Sequence, residues 1–294
     1  TGSDVPEMDG EAINYTLRVP IGVAACISPW NLPLYLLTWK IAPALATGNT
    51  VVAKPSEITP MTAYLLSKIC KEINFPKGVL NIVHVRGEKL GDALTTHQDV
   101  PIVSFTGGSD TGKHISKVTA PYFKKLSLEL GGKNPNIIFD DCDFDNAVST
   151  ASRAAFTNQG QICLCGSRVF VQNKIYEKFK SALVDKAKKL IVGDPKSSNS
   201  HLGAVVSEEH MNKILLKINE AKKLGGILLC GGERLILEGE LKNGYYIQPT
   251  VFENLAYDCS INNEEIFGPV LTLIHFESED DVVMMANSSE FGLS

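Results

Sequence analysis

Val23-Ala24-Ala25-Cys26-Ile27-Ser28 is a short apolar run that follows Gly22, and Thr50-Val51-Val52-Ala53-Lys54 is a second, rich in β-branched side chains. Between them, Leu36 to Ala46 carries apolar residues at helical spacing, with Pro43 inside and Gly48 just beyond. Glycine at that place readily takes the left-handed conformation that closes a helix. The stretch therefore predicts strand, helix, strand. The rhythm continues: Thr59-Pro60 opens a helix through Ile73, with proline in the favoured first turn. Val79 to Val85 predicts a strand, Lys89 to Thr95 a helix, and Ile102 to Phe105 another strand. Alternation of this kind points to an α/β protein with a parallel, doubly wound sheet.

The second half repeats the style. Asp143 is placed to cap a helix whose Ala147, Ala151, Ala154 and Ala155 share one face. Asn173 is expected to cap the next, with Tyr176, Phe179, Leu183, Ala187 and Leu190 inward. Ser207 is expected to cap a third, with Met211, Ile214, Leu215 and Ile218 inward. The double glycine at Gly131-Gly132 marks the domain boundary, giving domains 1–130 and 131–294. Upstream, Ile13 to Val19 alternates apolar and polar residues, which reads as a half-exposed strand near 12–20.

With 44% hydrophobic and 21% charged residues, the 294-residue chain has the composition of a globular protein with a sizeable core. A net charge of −5 leaves no electrostatic footprint for nucleic acid. No apolar run reaches the roughly 18 residues of a transmembrane helix, so neither a membrane span nor a leader is expected. The six histidines make no metal-spaced cluster, and no metal site is expected. Seven cysteines in no disulfide or zinc-finger spacing suit thiols in a reducing, cytoplasmic compartment.

Chemistry gathers in two segments. Asn158-Gln159-Gly160-Gln161-Ile162-Cys163-Leu164-Cys165-Gly166-Ser167-Arg168 places a thiol on a glycine-broken turn between an alanine-rich helix and a strand. Sharply bent, open backbone suits Cys163 to nucleophilic attack, while Cys165 reads as a packed thiol. Leu126-Ser127-Leu128-Glu129-Leu130-Gly131-Gly132-Lys133 sets one carboxylate among apolar residues. Such surroundings disfavour its charge and would raise its pKa towards the range of a working base.

Six segments in register resemble the NAD(P)-dependent aldehyde dehydrogenase family. They are Ser28-Pro29-Trp30-Asn31-Leu32-Pro33, Val52 to Glu57, Phe105-Thr106-Gly107-Gly108, the Glu129 and Cys163 segments, and Glu264-Glu265-Ile266-Phe267-Gly268-Pro269-Val270. The resemblance covers nearly the whole chain. It implies two doubly wound α/β domains, the first binding NAD in preference to NADP, the second carrying the catalytic thiol, plus part of an oligomerisation arm. It implies that Cys163 attacks an aldehyde to give a thiohemiacetal and then a thioester, that Glu129 is the base for hydrolysis, that Asn31 donates to the oxyanion with the Cys163 N–H, and that Lys40 relays protons. The cofactor would be held by Ile27, Ser28, Pro29 and Trp30, by Lys54, Ser56 and Glu57, and by Gly87 and Gly91. Phe105, Thr106, Gly107, Gly108 and Thr111 would add the phosphate turn, and Leu130, Gly131, Glu265 and Phe267 the nicotinamide end. Many family members carry Ser at the place of Gly108.

Within the family, Trp30 to Lys40 and Ile162 to Cys165 look most like the 2-aminomuconic and 2-hydroxymuconic semialdehyde dehydrogenases, which implies a small, carboxylate-bearing aldehyde as substrate. The arm strand near Tyr15 suggests a homo-oligomer for a full-length protein, and both ends of this chain look cut. Two rivals stand beside this reading: a truncated, non-catalytic paralogue that binds or supports, and a cofactor-free thiol esterase.

Overall fold

A computed structural model describes residues 15–293. The chain divides into two compact units, the first running to Glu129 and the second starting at Leu130.

The first unit holds a five-stranded sheet in the order β3-β2-β1-β4-β5, every pairing parallel. Its strands are β1 (Val23–Ile27), β2 (Thr50–Lys54), β3 (Leu80–Ile82), β4 (Ile102–Thr106) and β5 (Lys125–Glu129). The crossovers are α1 (Pro33–Ala46), α2 (Met61–Glu72), α3 (Gly87–Thr95) and α4 (Ser109–Thr119). Strand alternation turns Ala24 and Cys26 of β1, with Val51 and Ala53 of β2, onto the face that packs Leu37 and Ile41 of α1 and Ala63 of α2. Burying a leucine or isoleucine such as Leu37 or Ile41 contributes about 1.5–3 kcal/mol each. Gly48 stands at φ +82 just past α1, and the Asn49 N–H reaches back over it to the Ala44 carbonyl. This is the left-handed closure that the sequence predicts.

The second unit has a five-stranded sheet in the order β6-β7-β12-β11-β8. The strands are β6 (Pro135–Ile138), β7 (Arg168–Gln172), β8 (Ile227–Cys230), β11 (Thr250–Glu253) and β12 (Val270–Phe276), while β9 (Arg234–Leu235) and β10 (Tyr246–Ile247) form a separate short ladder. All pairings in the main sheet are parallel except that of β8, which runs antiparallel on the edge. The helices are α5 (Phe144–Phe156), α6 (Asn173–Lys188), α7 (Glu208–Lys223), α8 (Ser260–Asn263) and α9 (Glu279–Ala286). Val169 and Val171 of β7 pack against α5 and α6 through Ala151, Ala155, Phe179 and Leu183. Phe170, pointing the other way, packs with Ile274, Phe276 and Val282 of α9. The sheet is thus covered on both faces.

Four expectations need correction. Residues 15–19 of the alternating stretch Ile13 to Val19 form no strand, and Tyr15, Leu17 and Val19 are exposed. Residues 13 and 14 lie outside the described residues. A period-two pattern supplies side chains for a ribbon but not the neighbouring strand its backbone needs. β3 is three residues, shorter than Val79 to Val85, as befits an edge strand. Pro60 is the N-cap of α2 and not inside its first turn. Asn173 does not cap α6: it is the first helical residue, and its amide turns to Glu277. Asp143 and Ser207 do cap α5 and α7, accepting from the N–H groups of Asn146 and His210.

Candidate active site

In the first unit the parallel register brings four strand ends together. Ile27 pairs with Lys54 and with Phe105, and Thr106 pairs with Glu129. The residues that follow these ends therefore share one rim, where open α/β sheets bind ligands. After β1 come Ser28, Pro29, Trp30 and Asn31, the last in a bend before α1. Ser28 is buried, and its Oγ makes no hydrogen bond.

After β2, Lys54 is buried and its Nζ donates to Glu57 Oε2 at 2.9 Å. Glu57 Oε1 accepts from the N–H of Gly87, the first residue of α3, at 3.3 Å. Ser56 is buried beside them, and Gly91 lies one turn further along α3. Burial works to raise the Glu57 carboxyl. Its own backbone N–H, the Lys54 ammonium and the Gly87 N–H together hold it below the usual carboxylate range. A Lys–Glu pair usually lies solvated on a surface; here the lysine is buried and the glutamate is held by two hydrogen bonds.

After β4 the chain enters α4 through Gly107 and Gly108. A Cβ at Gly107 would fall 2.5 Å from the Phe105 ring, so only glycine allows this approach. Gly108 is the N-cap of α4, has no side chain to cap the first turn, and faces open space. Thr111 is exposed in that first turn. Uncapped N–H groups at a helix start favour an anion.

Glu129 closes the rim. Its Oε2 accepts from Thr106 Oγ1 at 2.6 Å, and Lys40 Nζ lies 3.7 Å from the same oxygen. Lys40 is buried and donates also to Ser104 Oγ at 3.2 Å. Burial pulls the Lys40 ammonium below its ordinary pKa, opposed by Glu129. The apolar setting expected for Glu129 is absent. Its side chain is 40% exposed, and its near neighbours are a hydroxyl and an ammonium. The reason is strand geometry: Leu128 and Leu130 flank Glu129 in sequence but alternate away from it, and β5 is an edge strand.

In the second unit, Asn158, Gln159 and Gly160 hold φ of 51°, 58° and 70°, three successive left-handed residues. Left-handed backbone is costly for residues with a Cβ. Gln161 secures the turn: it is buried, and its Oε1 accepts from the Val206 N–H at 3.0 Å. Gly160 is required, since a Cβ there would lie 2.1 Å from the Gly268 carbonyl oxygen. The chain then makes a tight turn in which the Cys165 N–H donates to the Ile162 carbonyl at 3.0 Å. Cys163 sits half-buried on this turn. Burial pushes the Cys165 thiol up to about 11, the behaviour of a packed thiol. All seven cysteines are thiols.

Two further segments close on the turn. Gly132 passes so near that a Cβ would be 2.5 Å from the Cys163 carbonyl oxygen. At Gly131 a Cβ would be 2.4 Å from Glu265 Oε2, and Glu265 Oε1 accepts from the Gly132 N–H at 3.1 Å. Burial raises the Glu265 carboxyl against the opposing Gly132 N–H and Lys133. Glu264, by contrast, is exposed and pairs with Lys217. Phe267 has φ +57 and its carbonyl meets His210 Nε2 at 2.7 Å. Leu130 opens this unit and is half-buried.

Sequence reasoning missed Asn134, Arg168 and Gln161. A signal existed for Arg168: a guanidinium in a strand whose next residues are Val169, Phe170 and Val171. It is 1% exposed and spends its donors on the carbonyls of Lys133, Met285 and Ala286.

Both units are α/β, the first with a glycine-lined helix start and a Lys–Glu pair, the second with a thiol that follows three left-handed residues. The model of the aldehyde dehydrogenase family matches residues 1–294, and the chain belongs to that family. It is 47% identical to a 2-aminomuconic semialdehyde dehydrogenase of Danio rerio, over 99% of this chain and 61% of that protein. It is 45% identical to the human protein of the same name, with the same coverage. A betaine aldehyde dehydrogenase of Staphylococcus aureus, solved in complex with NAD+, matches with a TM-score of 0.90 and 46% identity, covering 93% of this chain and 54% of that one. An aldehyde dehydrogenase of Bacillus cereus matches with a TM-score of 0.93 and 41% identity, covering 99% and 58%. The chain thus spans little more than half the length of these relatives. Among the described residues, no helix is long and apolar enough to cross a membrane.

Proposed function

We propose that the chain carries the cofactor and thiol machinery of an NAD-dependent aldehyde dehydrogenase that oxidises a small carboxylate-bearing semialdehyde to the acid in the cytoplasm, as part of a homo-oligomer. Residues 1–130 bind NAD and residues 131–294 supply the nucleophile. The observation that carries this reading is the setting of Cys163: a half-buried thiol on a turn whose peptide carbonyl is held by the Asn134 amide, two residues from a cysteine whose thiol burial pushes up to about 11. The name and bound NAD+ of the relatives support the cofactor and the reaction class.

The residues present fit a dinucleotide. The uncapped start of α4, the open space over Gly108 and the unsatisfied Ser28 hydroxyl offer polar contacts along one rim. The Glu57 carboxylate, kept ionised by Lys54 and Gly87, can accept from a ribose diol and repels a 2′-phosphate. When bound, NAD supplies the hydride acceptor.

In this mechanism the Cys163 sulfur attacks the aldehyde carbon, and the alkoxide so formed takes hydrogen bonds from the Asn31 amide and the Cys163 N–H. Loss of hydride from that carbon leaves a thioester on Cys163. Glu129 then removes a proton from water as the water attacks the thioester, releasing the acid and the thiol. Thr106 aims the carboxylate and Lys40 carries the proton onward. The net change is aldehyde, NAD+ and water to carboxylate, NADH and two protons.

The test is to mix the chain with NAD and a carboxylate-bearing semialdehyde and follow the absorbance of reduced nicotinamide. Cys163→Ala should abolish the signal and retain NAD binding. Ester cleavage without NADH would favour a thiol esterase, and NAD binding with neither activity would favour a non-catalytic paralogue. Strong aldehyde oxidation by Cys163→Ala would falsify the assignment.

A further inference from the structure

The backbone at Cys163 is held on both sides of its Cα. On the N-terminal side, the peptide joining Ile162 to Cys163 is fixed through the Ile162 carbonyl, which accepts from the Cys165 N–H at 3.0 Å. On the C-terminal side, the Cys163 carbonyl accepts from the side-chain amide of Asn134, Nδ2 to O at 3.2 Å. When both peptide planes that meet at a Cα are fixed, the direction of its Cβ is fixed too.

Asn134 is an odd residue to find there. It is 4% exposed, and its Oδ1 is buried without a hydrogen-bond donor. An amide that served only packing would be better replaced by an apolar side chain, because an unsatisfied buried acceptor is costly. The cost is tolerated because the other half of the amide, Nδ2, is used on the nucleophile's own carbonyl. Asn134 is itself clamped. Its carbonyl accepts from the Arg168 N–H at 3.4 Å, and the carbonyl of Lys133 accepts from Arg168 Nε at 2.8 Å. The same buried guanidinium reaches the last carbonyls of α9 at Met285 and Ala286. Gly132, with no Cβ, lets the segment come this close.

We infer that Asn134 is a positioning residue for the nucleophile, its amide setting the orientation of the Cys163 peptide, with Arg168 holding Asn134 in place. This deepens the thiol assignment made above and rests on it. Asn134 does not touch the reacting atoms; it acts through the backbone of Cys163.

The experiment compares the chain with Asn134→Asp and Asn134→Ala. The aspartate keeps the shape but, when ionised, presents an acceptor to an acceptor; the alanine removes the donor. The first readout is alkylation by iodoacetamide, with Cys163 and Cys165 followed separately by peptide mass spectrometry at pH 8. The wild type should modify Cys163 far faster than Cys165. In both variants the ratio of the two rates should fall about tenfold, because a loosened turn reorients one thiol and uncovers the other. The second readout is aldehyde oxidation, where kcat should fall about tenfold while the KM for NAD stays within twofold. An unchanged alkylation ratio in a folded Asn134→Asp overturns the inference. So does a loss confined to KM for NAD. If the wild type oxidises no aldehyde, the proposed function fails, and the alkylation ratio still decides the role of Asn134.

Discussion

Thr106 and Glu129 are neighbours across β4 and β5, and the Thr106 hydroxyl donates to Glu129 Oε2 at 2.6 Å. The same oxygen faces the buried Lys40 ammonium at 3.7 Å. One carboxylate oxygen is thus committed to structure while the side chain as a whole stays 40% exposed. In the proposed hydrolysis Glu129 relies on aim and on contact with a proton-bearing neighbour, not on a greasy pocket.

Thr106→Val keeps shape and burial but removes the donor. A hydrogen bond to a charged group contributes about 1.5–3 kcal/mol, and partial exposure puts this one at the low end. Thioester hydrolysis should slow by roughly tenfold, while the first-turnover burst of NADH keeps its amplitude and rate. Rapid-mixing absorbance separates the two phases. A variant with a slowed burst and normal steady-state ratio would show that Thr106 serves the cofactor instead.

Glu57 is the residue on which cofactor choice should turn. Glu57→Gln removes the charge that opposes a 2′-phosphate and weakens acceptance from the ribose hydroxyls. A change worth about 1.4 kcal/mol is tenfold in affinity. Calorimetric titration should show NAD weakened by about that factor, with NADP weakened less or tightened. Equal weakening of both would remove Glu57 from cofactor selection.

The sheet of the first unit was legible because Ala24, Cys26, Val51 and Ala53 belong to short apolar runs punctuated by Gly48, and local pattern is what propensity reads well. The caps at Asp143 and Ser207 were legible for the same local reason. Lys40 was legible only through the family motif it belongs to: a lysine near a tryptophan normally snorkels to water, and the fold is what brings Ser104 and Glu129 to it. The apolar setting expected of Glu129 fails because neighbours in sequence are not neighbours in space on a strand. Asn134 was illegible, since its target lies 29 residues away and depends on the turn shape set by Asn158, Gln159 and Gly160. The candidate nucleophile was visible from its motif; the devices that hold it were not.

Gly160 and Gly108 should behave oppositely on substitution. At Gly160 the backbone is left-handed and a new Cβ would strike the Gly268 carbonyl at 2.1 Å, so nothing soft can yield. Gly160→Ala should lower stability by about 3 kcal/mol or more, through strain and displaced backbone. Gly108→Ser enters open space at ordinary backbone angles and at an N-cap, where serine is favoured over glycine by a few tenths of a kcal/mol. Its melting temperature should hold or rise slightly. Thermal melts of the two variants side by side check both claims, and a well-folded Gly160→Ala would contradict the geometry of the turn.

Lys133 gives the chain a pH dependence of stability with a definite sign. It is 2% exposed, and burial, helped by the nearby Arg168 cation, lowers its pKa from 10.5 to about 7, against the pull of Glu265, Cys259 and Glu264. Between those two values the unfolded chain holds a proton that the folded chain has released. Stability contributed at this site therefore rises with pH from about 7 to 10.5 and is lost as pH falls through 7. At 1.36 kcal/mol per unit, a displacement of this size corresponds to on the order of 5 kcal/mol, an upper bound once water penetration is allowed for. Lys133→Met leaves the backbone carbonyl free to serve Arg168 and removes the titration. The variant should exceed the wild type in urea resistance at pH 6, and its margin should shrink steadily towards pH 10. A margin that stays constant with pH would mean that Lys133 keeps its proton in the folded chain, held by the carboxylate of Glu265.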